Sequence, residues 1–179
     1  AIKSEMDQSA LQNAQNAASD LIKKQKDLKN KTQKENDPKE QSQLSKEQEK
    51  LKEDLKNLEK QIREAIQKTE ASSPQASNEL EKSLQKLNKD NLDQKIGKAS
   101  KSIFYGLKDK SQLEQNSIVK SLENIKEQIQ SAQEKMSDAD KQQLMNALAQ
   151  LSQIKDKSNE SSEKQKAEEI KSALEDIGG

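Results

Sequence analysis

Residues 44–65 read LSKEQEKLKEDLKNLEKQIREA, and the spacing of their apolar members decides the fold class. Leu44, Leu51, Leu55, Leu58, Ile62 and Ala65 recur at alternating intervals of three and four, with Gln48 as the one polar member of the series. That period puts the whole series on one stripe of an α-helix and leaves Lys and Glu to cover the rest, the pattern of helix packed on helix. A half-buried strand would need alternation of two, and no part of the chain sustains it. Glu59–Arg63 and Glu64–Lys68 stand four apart on the polar face, where each pair adds about 0.2–0.5 kcal/mol.

Towards the N-terminus the same spacing recurs in Ala10, Ala14, Ala17, Leu21 and Leu28, with Lys24 filling a seam position. Between the two stripes, NDPKE offers Asp37 as N-cap, Pro38 at the first helical position and Glu40 three residues after the cap. Ser73 and Pro74 repeat the device. Asn91 before Gln94, Ser111 before Glu114 and Ser137 before Asp140 supply three more helix starts. These signals predict helices near 5–33, 38–71, 74–88, 92–105, 112–136, 138–157 and 162–176. The first two would each run about 45–50 Å at 1.5 Å per residue. A connection of a few residues makes them an antiparallel hairpin, with the shorter helices folded back along it.

Composition agrees with narrow seams rather than a thick core. Charged residues make up 36% of the 179 and hydrophobic ones 28%, which alone would suggest disorder. The disorder signature also asks for a large net charge, whereas 32 Lys and Arg balance 32 Asp and Glu. The expected fold class is therefore all-α: an elongated antiparallel helical bundle, or coiled-coil hairpin, with shorter helices packed along it. It is expected as a single elongated domain over 1–179. A sub-division near 72–74 would separate a long helical hairpin, 1–71, from a shorter-helix bundle, 74–179.

The available chemistry is narrow. With no His and no Cys the chain lacks the usual neutral-pH base, the commonest transition-metal ligands and any thiolate nucleophile. No glycine-rich phosphate loop and no Gly-x-Ser-x-Gly elbow occurs. Carboxylate pairs abound, but they fall on polar helix faces where nothing would shift their titration. No enzyme activity, catalytic residue, cofactor, metal or small-molecule substrate is expected. The run KKQKDLKNKTQK, Lys23 to Lys34, reads as a solvated face near a helix C-terminus, where cations are favourable. Arg63 is the only arginine and stacking residues are scarce, so no nucleic acid is expected. No apolar run approaches the roughly 18 residues of a membrane span, so no direct membrane insertion is expected. The start AIKSEM reads as a processed product or an excised piece.

One place stands apart. SKSIFYGLKDKSQ, Ser100 to Gln112, holds both aromatic residues, Phe104 and Tyr105, followed by Gly106. Ile96, Ala99, Ile103 and Leu107 continue the seam, so the aromatics lie beside its axis. The plainer reading makes Gly106 a left-handed helix stop, Phe104 a plug at the bundle end and Tyr105 a residue reaching water. The functional reading makes Phe104, Tyr105 and Lys108 a partner contact, since aromatics dominate binding hot spots. Around this corner SLQKLNKDNLDQKI and SIFYGLKDKSQLEQNSI share an apolar helix end, a Lys/Asp break and a capped restart.

The order of LSKEQEKLKEDLKNLEKQI, SSPQASNELEKSLQKL and KASKSIFYGLKDKSQLEQNSIVKSLENI resembles a large, uncharacterised family of bacterial coiled-coil-rich helical proteins, often long and membrane-anchored. Pro74, Gly106, Asp109, Gln115 and Leu122 occupy the places of that family's break, turn and Gln/Leu positions, although NKDN lacks the turn glycine. The resemblance covers about half the chain, implies a bacterial cell-envelope or surface location (periplasmic or extracellular), and carries no catalytic residue across. The expected role is a non-catalytic scaffold that associates with a protein partner or with itself through helix faces. The alternatives are a surface-exposed ligand- or host-binding helical protein and a cytoplasmic coiled-coil adaptor.

Overall fold

The computed structural model describes residues 2–157 and 170–175, and among these every regular element is a helix. In chain order they are α1 (Ile2–Lys34), α2 (Pro38–Thr69), α3 (Pro74–Lys89), α4 (Leu92–Phe104) and α5 (Lys108–Lys157). The chain divides into two compact units, Ala1–Met136 and Ser137–Gly179. Residues 72–74, the sub-division suggested by sequence, lie inside the first unit between α2 and α3.

Cross-helix pairs fix the directions in the first unit. Lys24 pairs with Asp54 at 3.1 Å and Asp7 accepts from the Ser72 hydroxyl at 2.5 Å, so α1 and α2 run antiparallel. α3 and α4 both run antiparallel to α2: only residues 70–73 join α2 to α3, which folds back to share a groove at Gln67 and Glu81. Along α4, Gly97 stands against Lys52 and Ser100 against Ser45. There the Ser45 hydroxyl donates to the Ser100 carbonyl at 2.8 Å and the Ser100 hydroxyl to the Ser45 carbonyl at 2.9 Å. Side chains this short reach a facing backbone only where two helices approach closely. α5 runs antiparallel to α1, with Lys26–Glu123 at 3.1 Å and Gln133 donating to Gln12 at 3.2 Å.

The α2 stripe read from sequence is buried along its whole length, Gln48 included. On α1 the register differs from the sequence reading. The series facing the core is Leu11, Ala14, Ala18, Leu21, Gln25, Leu28 and Thr32, with Asp7, Ala10 and Ile22 buried beside it, whereas Ala17 is half-buried and Lys24 exposed. Both series alternate threes and fours and share Ala14, Leu21 and Leu28. What separates them is the residue opposite Gln48, because a buried amide needs a partner that both donates and accepts. Gln25 does so, giving Nε2 to Gln48 Oε1 at 2.8 Å and taking Gln48 Nε2 on its own Oε1 at 2.7 Å. Gln115 of α5 adds a third amide, donating to Gln48 Oε1 at 3.2 Å and to the Thr32 hydroxyl at 3.5 Å. All three glutamines are fully buried, and Gln115 Oε1 accepts nothing from the protein.

Capping chemistry accounts for the helix starts only in part. Asp37 caps α2 as expected, its carboxylate accepting from the Lys39 amide at 3.0 Å, but the Asp37 amide is taken by Glu35 rather than Glu40. Ser73 precedes α3 without a side-chain cap bond. Asn91 also makes none, and instead supplies a left-handed backbone at φ 49° that separates α3 from α4. Asparagine is the residue that tolerates this region best after glycine, so the turn glycine missing from NKDN has a substitute. At the next break the helix begins at Lys108, ahead of the predicted 112, and Ser111 sits buried within its first turn. The predicted break at Ser137 is absent, since α5 continues to Lys157 and that stretch holds neither Gly nor Pro to stop it. Of the predicted 162–176 helix, residues 170–175 are helical and the others lie outside the described residues. The Glu59–Arg63 pair is present at 2.8 Å, whereas Glu64–Lys68 forms no ion pair.

Candidate functional site

The corner between α4 and α5 is built from local backbone rules. The Leu107 amide donates to the Ser102 carbonyl at 2.9 Å and the Gly106 amide to the Ile103 carbonyl at 3.0 Å. With Gly106 at φ +69°, these two bonds make a Schellman stop, which satisfies carbonyls that α4 would otherwise leave orphaned. The Ser102 hydroxyl donates to the Glu114 carboxylate at 3.0 Å and so links the two helices across the turn. A Cβ on residue 106 would lie 3.1 Å from Gln41 Oε1, which sets the corner against the start of α2.

Ile103 is the residue this geometry sends inward, with 1% of its surface exposed. Phe104 is 53% exposed and Tyr105 72%. Phe104 therefore does not plug the bundle end, because one residue past Ile103 the helix has turned its side chain about 100° away from the core. Leu107, read from sequence as a continuation of the seam, is 47% exposed because it follows the left-handed residue that ends the helix. The two rings meet edge to face, 5.2 Å between centroids and 88° between planes, an arrangement favoured by the aromatic quadrupole. Lys108 is half-buried and turned back on the protein, its ammonium donating to the Gln33 carbonyl and to the Asn36 side chain. Of the three residues singled out from sequence, two face solvent and the third ties the corner to the connection between α1 and α2.

Sequence reasoning missed the setting of these rings. Residues 94–113, flanked by Asp93 and Glu114, contain Lys95, Lys98, Lys101, Lys108 and Lys110 against the single acid Asp109, in a chain whose charges balance overall. Lys98, Lys101 and Lys110 are exposed, and Lys95, Lys98, Lys101 and Lys110 form no ion pair among the described residues. The signal is a local excess of lysine, less conspicuous than the continuous run at Lys23–Lys34. In that run Lys24 and Lys26 are paired with Asp54 and Glu123, as befits an ordinary solvated face.

Elsewhere the surface offers shallow grooves between helices. One, between α1 and α2, is walled by Lys24, Asp27, Lys31, Glu47, Lys50 and Asp54, and another, between α2 and α3, by Arg63, Ile66, Glu81 and Leu84. Charges of both signs line each one. Among the described residues no group of three acidic side chains is placed to hold a metal ion, and no helix is long and apolar enough to cross a membrane. Among the described residues, Lys52 on α2 is displaced in its titration. Its ammonium donates to Glu49 at 2.6 Å, and this hydrogen bond raises its pKa above 10.5, with burial opposing the shift and the charges of Glu49 and Asp93 adding to it.

No protein-family model, no curated protein and no solved structure matches this chain.

Proposed function

We propose that this protein is a non-catalytic helical scaffold, its first unit an elongated antiparallel bundle in which the α1–α2 hairpin is lined by α3, α4 and α5, and that it associates with another protein through the α4–α5 corner. The observation that carries this reading is the exposure of Phe104 and Tyr105. A chain with one Phe, one Tyr and no Trp places both rings together, outside the core, on a turn held by two backbone bonds and a lysine tether. Aromatic side chains exposed on a rigid support contribute to binding at little entropic cost, whereas they add little to folding while solvated. The absence of His and Cys from the sequence supports a role without catalysis. The resemblance to envelope-associated coiled-coil proteins supports a bacterial cell-envelope or surface setting. Binding of a ligand or host molecule at the same corner is the second reading, and the exposed rings favour it over an adaptor acting through its seams.

The test is the double variant Phe104→Ala with Tyr105→Ala, melted in urea beside the parent protein. Rings that serve a contact rather than the core leave the unfolding free energy within about 0.5 kcal/mol of the parent. A loss above about 2 kcal/mol, the range of a buried aromatic, would return the rings to the fold and remove the basis for a contact there.

A further inference from the structure

We propose that the α4–α5 corner, with the outward face of α4, is a docking surface for an acidic amphipathic helix of a partner protein. This deepens the scaffold reading and rests on it. The argument starts from charge. From Asp93 to Lys110 the surface carries five lysines and two aspartates, and a balanced chain that leaves four of those lysines without an ion pair presents a field complementary to an anionic partner.

Geometry narrows the partner further. Lys98 and Lys101, the exposed lysines of α4, stand one three-residue step apart, about 4.5 Å along its axis. Carboxylates three or four apart on a second helix repeat at about 4.5–6 Å, so such a helix laid along α4 matches the lysines in sequence. At the C-terminal end of this row Phe104, Tyr105 and Leu107 form a small exposed apolar step, with Leu113 exposed further along α5. That step suits one or two aliphatic side chains from a partner helix. A lipid surface asks for a broad apolar face running the length of the helix, and the exposed positions of α4 before Phe104 are Asp93, Gln94, Lys98 and Lys101. The occupant favoured is therefore a protein helix with glutamates along one side and leucines at one end.

The surface has its own reporter. Tyr105 is the only tyrosine and no Trp is present, so intrinsic fluorescence comes from the docking step itself. The experiment titrates the full chain with a synthetic, aromatic-free helical peptide carrying Glu at three- and four-residue intervals and two terminal leucines. Parallel titrations use the same peptide with Lys for Glu, polyglutamate, and vesicles containing anionic phospholipid. The expected result is a saturable change in Tyr105 emission with the Glu/Leu peptide, at a Kd tighter than about 1 mM, and none with the Lys peptide. Lys98→Glu with Lys101→Glu weakens that binding about tenfold, and added salt weakens it in the parent. An equal response to vesicles or polyglutamate would overturn the proposal in favour of a general anion surface. No response to the Glu/Leu peptide would overturn it outright, even where Phe104→Ala with Tyr105→Ala had left stability intact. Destabilisation by that double variant would instead bring down the scaffold reading beneath it.

Discussion

Replacing the buried glutamines separately and together gives the sharpest test of how the first unit is held. Gln48 is bonded to Gln25 in both directions, at 2.7 and 2.8 Å, and accepts from Gln115 at 3.2 Å. Gln48→Leu keeps the volume roughly constant but strands one donor and one acceptor on Gln25 and leaves Gln115 with only its 3.5 Å contact to Thr32. A buried polar group without a partner costs about 1–3 kcal/mol, and the added apolar area returns part of that, so the single variant loses about 2–4 kcal/mol. Gln25→Leu strands only Gln48 Nε2, because Gln48 Oε1 keeps its bond from Gln115, and costs about 1–3 kcal/mol. The triple variant Gln25→Leu, Gln48→Leu, Gln115→Leu strands nothing, because the Thr32 hydroxyl still donates to the Leu28 carbonyl at 2.7 Å. It also removes Gln115 Oε1, which has no donor to begin with. The triple is therefore expected within about 1 kcal/mol of the parent, or above it. Urea unfolding followed by far-ultraviolet circular dichroism measures all the variants. A triple whose loss approaches the sum of the singles would show that the three amides do not act as a network.

Further predictions follow from the glycines, the α2 seam and Lys52. Gly97→Ala should raise stability by about 0.5–1 kcal/mol, because the new Cβ meets only the end of the flexible Lys52 side chain, at 3.2 Å, whereas Gly106→Ala should lower it by about 1–2 kcal/mol from its left-handed φ; thermal melts that rank them the other way would refute this use of backbone conformation. Leu55→Asp, placing a charge at a residue 4% exposed, should cost several kcal/mol while its exposed neighbour Lys56→Ala costs about 0.5 kcal/mol or less, and equal losses on urea unfolding would mean the α2 register is wrong. Because the folded pKa of Lys52 is raised, its contact with Glu49 contributes fully below 10.5 and is lost as pH rises through the folded value. The stability difference between the parent and Lys52→Met should therefore shrink in alkaline solution, and a difference that stays constant to the highest pH measured would remove Glu49 as the cause.

Much of this was readable in the residues. The α2 seam follows from the spacing of its leucines alone, because a single three-and-four series fits them and every member is buried. The α1 register was not fixed by its own sequence. Alanines at 17 and 18 and polar residues at 24 and 25 allow two neighbouring series, and the choice belongs to the facing helix. A cue was present, since the polar Gln48 in one seam demanded an amide in the next. At the corner, Gly106 announced the turn, but which of three consecutive apolar residues enters the core depends on the helix phase, and Ile103 takes that place. The run Ser137 to Asp140 resembled a helix start because Ser and Asp are good caps. They are tolerated inside a helix too, and nothing there breaks the backbone hydrogen bonding. The basic setting of the corner is spread over α4, the turn and α5, so no continuous run of charge marks it in the sequence.

The pairing of α1 with α5 has a consequence for the order of assembly. Lys24 and Asp54, across the first hairpin, stand 30 residues apart, whereas Gln12 and Gln133 stand 121 apart. Closing the longer loop costs about 1.2 kcal/mol more chain entropy, a handicap absent from α2 with its neighbours α1 and α3. Hairpins centred on α2 can thus form early, and α5 arrives against α1 near the end of folding. Gln115 is carried in on that last helix, and it meets Gln48 only when α5 has stopped at the right height. A slipped α5 would set its amide against leucine, so the step that completes the bundle also proofreads it.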